Sequence, residues 1–106
     1  MSLHEFTLTE LSAGLAAKRF SSREIVDALL ARIEKADGKL HSFIEVYAKE
    51  ARAIADGADA ARASGFPLPA LHGLPVAYKD LCDIAGRIGT GGSKMWEKRV
   101  ATETAN

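Results

Sequence analysis

The sequence predicts an incomplete α/β fold, in which N-terminal helices precede the region of a first strand. Three observations support this: helical periodicity over residues 7–63, a glycine- and proline-containing loop at 64–69, and an apolar run from Leu71 to Tyr78. One strand cannot form a sheet, because its backbone groups need a neighbouring strand. We therefore expect a fragment of a larger domain, with a helical segment (1–65) and a strand followed by a glycine-rich turn (66–106).

The helical segment carries two start signals. Thr7 with Glu10, and Ser21 with Glu24, have the spacing of capping boxes. The apolar faces that follow consist of Leu8, Leu11 and Leu15 in the first helix and of Ile25, Val26, Leu29, Leu30 and Ile33 in the second. Gly38 is expected to end the second helix, because glycine readily adopts the left-handed conformation of a helix C-terminus.

A third helix is predicted over residues 48–63, after a partly alternating run at 40–46 that favours an extended conformation. Its predicted inner face is rich in alanine and consists of Tyr47, Ala51, Ile54, Ala55 and Ala58. Alanine buries little area, so this helix needs another helix to pack on.

The composition excludes several classes of function. Fourteen Lys and Arg residues balance fourteen Asp and Glu residues, which argues against a nucleic-acid partner or an acidic membrane surface. The single cysteine excludes an internal disulfide framework. No apolar run is long enough to cross a bilayer, and no secretory signal is visible. We expect a cytoplasmic protein without nucleic-acid or membrane partners.

The candidate chemistry lies between residues 71 and 94. Lys79 ends the apolar run, and a lysine acts as a general base when an enclosed pocket lowers its pKa; the alternative is an ordinary surface lysine.

The loop at 89–94 fits neither phosphate-binding nor dinucleotide-binding glycine patterns. Cys82 with His72 as base is a weaker candidate, because a lone cysteine is more often a small buried residue. The histidines lack ligand spacing, so neither cofactor nor metal is expected.

Residues 71–80, Leu-His-Gly-Leu-Pro-Val-Ala-Tyr-Lys-Asp, followed by Thr-Gly-Gly-Ser at 90–93, resemble the amidase signature family. The family pattern is Leu-x-Gly, an aliphatic residue and Pro, several apolar residues, Lys-Asp, and then a Thr-x-Gly-Ser turn. Upstream, the segments 21–24 and 40–44 are also similar to the family's N-terminal run. The resemblance extends over essentially the whole chain and implies the N-terminal part of an amidase-signature α/β/α domain.

The resemblance implies hydrolysis of the C–N bond of a small-molecule amide by a Ser–cis-Ser–Lys triad. Lys79 matches the triad lysine, which takes a proton from the bridging serine, which in turn deprotonates the nucleophilic serine. In the family both serines lie in a Gly/Ser-rich segment downstream, which this sequence does not contain. Ser93 aligns with the turn after the lysine and is not expected to be the nucleophile. We expect the chain to supply only the lysine and to be inactive alone.

Two alternatives stay open. One is a non-catalytic helical module for interaction or dimerisation. The other is the A subunit of a tRNA-dependent amidotransferase, a subgroup of the same family, although residues 78–86 look more like the general amidases. The unpaired edges of the run at 74–78 predict a homo-oligomer or another association through the unfinished sheet.

The second helix generates the first testable prediction. If its apolar face is buried, Leu29→Ala should lower the free energy of unfolding by about 2–4 kcal/mol, because the substitution removes buried methyl groups and leaves a cavity. Urea denaturation measures the change. An unchanged midpoint would show that Leu29 faces solvent.

Overall fold

The computed structural model describes residues 2–79, 82, 84–87, 95 and 99–104. The chain divides into two compact units, Met1–Pro75 and Val76–Asn106. The first unit contains a 3-10 turn and three α-helices, with bounds Leu3–Glu5 for the turn, Leu8–Ala16 for α1, Ser22–Leu40 for α2 and Ala48–Ala63 for α3. Within the part of the chain that the structure describes, no helix is long and apolar enough to cross a membrane.

Both predicted capping boxes are confirmed. At the start of α1 the Glu10 N–H donates to Thr7 Oγ1 at 3.1 Å, and the Thr7 N–H donates to Glu10 Oε1 at 3.0 Å. At the start of α2 the same exchange joins Ser21 and Glu24, at 3.1 and 3.2 Å. Each pair satisfies two N–H groups that have no partner within the helix.

The core of the first unit lies between α1 and α2. It is centred on Leu11, Leu15 and Ile25. The partly buried residues packed against this centre are Leu3, Phe6, Phe20, Leu29 and Leu74. The predicted apolar faces are therefore confirmed at these core positions, whereas Leu8 is 56% exposed. Because Leu29 is only partly buried, we expect its substitution to fall at the lower end of the predicted range.

A close contact at the end of α1 explains a glycine inside that helix. The chain leaves α1 through Lys18, which has a φ of 57°. The Arg19 N–H donates to the Gly14 carbonyl at 2.9 Å, which is a Schellman-type end. This turn brings Phe20 back onto Gly14, where an added Cβ would lie 2.1 Å from the ring. Gly14 is thus required by packing, although glycine weakens a helix by about 1 kcal/mol relative to alanine.

The predicted end of α2 at Gly38 is wrong. The helix continues through Gly38 to Leu40, and His41 takes the left-handed conformation with a φ of 49°. The Asp37 carboxylate stabilises this exit, because its Oδ1 accepts from the main-chain N–H of Ser42 at 2.6 Å and of Phe43 at 3.1 Å. Residues 41–47 have no regular structure, so the extended run predicted at 40–46 does not form a strand.

Helix α3 has the predicted bounds and packs on α2. Ala55 is buried as predicted, but Ile54 is 71% exposed, so its assignment to the inner face is wrong. Charged side chains join the two helices. Arg23 pairs with Asp56 at 2.7 Å and with Asp27 at 3.1 Å, and Arg52 pairs with Asp27 at 2.8 Å. The helix pair therefore combines close contact at alanine with a partly exposed ionic network.

The buried strand predicted from Leu71 to Tyr78 is absent. Residues 70–73 form a turn and residues 74–79 have no regular structure. Val76 and Tyr78 are 71% and 66% exposed. The composition of this apolar run suits a strand, but a strand also needs a paired neighbour, and the described residues contain no strand.

In the second unit the described contacts bring residues 84–87 and 101–104 together. The Gly86 N–H donates to the Ala101 carbonyl and the Ala101 N–H donates to the Arg87 carbonyl, both at 2.8 Å. The Ala85 N–H donates to Thr104 Oγ1 at 3.1 Å. Ala101 is buried. These bonds link two segments of this unit without forming a sheet among its described residues.

The Gly14 contact generates a stability prediction. Gly14→Ala should lower the free energy of unfolding by about 1–3 kcal/mol, because the Phe20 ring must leave its place in a packed core. The control is Gly57→Ala in α3, where an added Cβ meets nothing within 4 Å. That substitution should raise stability by about 0.5–1 kcal/mol through helix propensity. Equal stabilisation of both variants in urea denaturation would contradict the role of packing at Gly14.

The ionic network generates a pH prediction. The hydrogen bond from Arg52 is the largest cause of a lowered pKa of Asp27, and the hydrogen bond from Arg23 and the positive charges of both arginines act in the same direction; desolvation opposes them. A lowered folded-state pKa adds stability that is complete above the unfolded-state pKa of about 3.9 and is lost as the pH falls through the folded-state pKa. The free energy of unfolding should therefore fall less steeply below about pH 5 in Asp27→Asn than in the unmodified protein. Parallel curves from urea titrations would refute this.

Candidate functional site

Lys79, the predicted catalytic residue, lies at the end of the irregular segment 74–79 and is exposed. Its main-chain carbonyl accepts a hydrogen bond from the Cys82 N–H at 2.9 Å. The second half of the Lys-Asp pair, Asp80, lies outside the described residues, as does the glycine-rich loop with Ser93.

The weaker candidates, His72 and Cys82, lie in different compact units of the chain. His72 Nε2 lies 3.0 Å from the Ala58 carbonyl, so the imidazole faces the main chain of α3. Cys82 is half-buried. Across the described residues, no three His, Cys, Asp or Glu side chains come together in a group that could hold a metal ion.

The structure brings two of the family-like sequence segments together. Residues 70–75, here called the motif turn, pack against the start of α2, which carries the Ser-Ser-Arg-Glu segment at 21–24. The Ser22 hydroxyl donates to the Gly73 carbonyl at 2.5 Å. Gly73 has a φ of 84°, and an added Cβ would lie 3.3 Å from the Ser22 Cβ. Both the backbone conformation and the close approach therefore favour glycine at this position.

A carboxylate of α3 completes this junction. Asp59 Oδ1 accepts from the Ser22 N–H at 2.7 Å, and Oδ2 accepts from the Arg23 N–H at 3.0 Å. A negative charge at a helix N-terminus also interacts favourably with the helix dipole. No short-range pattern in the sequence marks Ser22 and Asp59 as a pair, because they are 37 positions apart.

A family model described as Amidase matches residues 24–106, which include most of α2, the motif turn and Lys79. The chain belongs to the amidase family. This confirms the resemblance to the amidase signature family over the greater part of the sequence.

Curated relatives within this amidase family share about half of the aligned residues. The chain is 52% identical over 99 residues to the A subunit of the glutamyl-tRNA(Gln) amidotransferase of Chromohalobacter salexigens, covering 93% of this chain and 20% of the relative. It is 48% identical over 107 residues to the protein of the same name from Alcanivorax borkumensis, covering 97% of this chain and 22% of the relative. The chain thus spans about a fifth of the length of these relatives.

A solved structure has the same fold over nearly all of this amidase-family chain. It is described as part of a vestigial protein complex that reveals the evolutionary origins of an s-triazine catabolic enzyme. The two chains superpose with a TM-score of 0.87 at 38% sequence identity, over 94% of this chain and 22% of the other. The helical arrangement is therefore that of the corresponding fifth of a larger protein of similar sequence.

Proposed function

We propose that this chain supplies the lysine of an enzyme that hydrolyses amide C–N bonds through a Ser–cis-Ser–Lys triad, with a small-molecule amide as substrate. The observation that carries the proposal is the amidase family match, which runs through Lys79. The motif pattern around residues 71–80 supports the same assignment of the lysine.

In the proposed reaction Lys79 acts as the base. Its neutral amine accepts the proton of the bridging serine, and that serine accepts the proton of the nucleophilic serine. The nucleophile attacks the amide carbon, the C–N bond breaks, and the leaving amine takes up the proton that Lys79 had accepted, which the bridging serine passes back. Water then hydrolyses the acyl-enzyme and restores the nucleophile. A base alone contributes about 10²–10⁴-fold to such a rate, so we propose that these 106 residues are inactive by themselves.

A second candidate is the A subunit of a tRNA-dependent amidotransferase. The names of the relatives at 52% and 48% identity favour it over the general amidases that residues 78–86 suggested. Those names link the relatives to glutamyl-tRNA(Gln). The zero net charge led us to expect no nucleic-acid partner. Our proposal does not retain that expectation.

The α/β/α architecture and the association of chains also belong to the proposal. We propose that residues 74–79 become a strand where further strands of the same domain lie beside them.

The predicted division after residue 65 follows the end of α3 at Ala63, and residues 66–75 then pack with the helices in the first compact unit. Without a neighbour, the exposed Val76 and Tyr78 favour association with a second copy.

A chimaera tests the proposed function. The aligned 93% of this chain replaces the matching segment of the Chromohalobacter salexigens relative, and ammonia release is measured from glutamine and from simple aromatic and aliphatic amides. We expect an active chimaera in which Lys79→Ala reduces kcat by at least about 10²–10⁴-fold, because the base is lost. The 106-residue chain alone should release no ammonia.

The control is Lys49→Ala, which removes an exposed lysine of α3 and should leave kcat unchanged. Full activity of Lys79→Ala would overturn the role of the lysine. A folded but inactive chimaera beside an active relative would overturn the proposed amide hydrolysis. Activity that needs the partner subunits of the relative would favour the amidotransferase candidate, and activity without them would favour a free-standing amidase.

A further inference from the structure

We propose that the motif turn positions Lys79, and that Ser22 is the positioning residue that holds the turn. The inference rests on the proposed catalytic role of Lys79. The helices hold the motif turn, and the turn sets where residues 76–79, here called the lysine segment, begin. Ser22 is a buried polar side chain that the triad chemistry does not use.

Three helices hold the motif turn through its main-chain carbonyl groups. Ser12 of α1 donates to the Ala70 carbonyl at 2.8 Å, and Arg62 of α3 donates to the His72 carbonyl at 3.1 Å. Ser22 of α2 donates to the Gly73 carbonyl. Bonds from three directions to a four-residue stretch fix both its place and its orientation.

Ser22 is the most constrained of these donors. It is 2% exposed, and its own N–H is held by Asp59. Its side chain lies directly under Gly73, where the contact leaves no room for a Cβ without displacement. The next residue, Leu74, packs on the core formed by α1 and α2. Loss of the Ser22 hydroxyl leaves the Gly73 carbonyl without this donor at the point where the turn enters the core.

The distance along the chain from the turn to the lysine is short. Four residues lead from Pro75 to Lys79, and an extended chain spans at most about 3.3–3.6 Å per residue. The ring of Pro75 also fixes its φ. A shift of the turn therefore changes where the lysine segment begins. Proton transfer needs heavy atoms about 2.6–3.2 Å apart, and misplacement by about 1 Å costs about a hundredfold in rate.

Hydrogen exchange in the 106-residue chain tests the local part of the inference. The Leu74 N–H donates to the Leu71 carbonyl at 3.2 Å and reports on the turn. Ser22→Ala should raise the exchange rate of Leu74 at least about tenfold relative to that of Leu29 in the middle of α2, because the turn opens without the helix. Ser64→Ala is the matched control, since its hydroxyl bonds the Ala61 carbonyl at the end of α3.

Equal acceleration at Leu74 and Leu29 would show that Ser22 stabilises the whole unit and does not hold the turn specifically. That result would overturn the inference independently of catalysis, because it would mean that the turn and the helix open together.

Kinetics of the chimaera test the functional part. At a temperature where the variants are folded, Ser22→Ala should lower kcat by about ten- to a hundredfold with little change in KM, because the base is misplaced while substrate binding is retained. Ser64→Ala should keep the kcat of the unmodified chimaera. An unchanged kcat in Ser22→Ala, in a chimaera that Lys79→Ala inactivates, overturns the positioning role alone. Full activity of Lys79→Ala overturns the proposed function and this inference with it.

Discussion

The start of α2 is the junction on which the first unit depends. There the two oxygens of Asp59 accept from successive N–H groups of Ser22 and Arg23, and the Ser22 hydroxyl reaches Gly73. A buried helix N-terminus needs such partners, because its first N–H groups have none within the helix. One short stretch of backbone thus joins α2, α3 and the motif turn.

This polar junction is important for the stability of the first unit, because the apolar core of that unit is small. The centre of the core consists of three side chains, Leu11, Leu15 and Ile25. The contribution of α3 to the buried residues of the described chain is a single alanine, Ala55. Alanine adds little hydrophobic free energy, so α3 is held on α2 by close approach, by the Asp59 carboxylate and by the exposed ion pairs. Ion pairs at this exposure contribute little individually to stability. The hydrogen bonds of Asp59 are therefore the main polar contacts that orient α3 on α2.

The same junction connects the helical part of the chain with the amidase motif. The glycine of the Leu-x-Gly-x-Pro pattern is Gly73, and its partner Ser22 lies in the other similar segment, at the start of α2. Two sequence signals that are about fifty residues apart therefore describe one structural contact. In our proposal this contact sets where the segment that leads to Lys79 begins, and the two triad serines lie outside these 106 residues.

The sequence by itself determined the features that depend on neighbouring residues. The two capping boxes, the bounds of α3 and the apolar positions at Leu11, Leu15 and Ile25 follow from short-range spacing, and the motif around Lys79 identified the family.

The tertiary structure decided the rest. Gly38 did not end α2, because Asp37 and His41 form the exit two residues later. Gly14 is required by a ring that returns from the next turn. Residues 74–79 are not a strand in this chain, because strand formation requires a neighbouring backbone that a single apolar run cannot provide. The contacts of Ser22 with Asp59 and Gly73 span 37 and 51 residues, and only the packing of the helices brings such distant groups within hydrogen-bond distance.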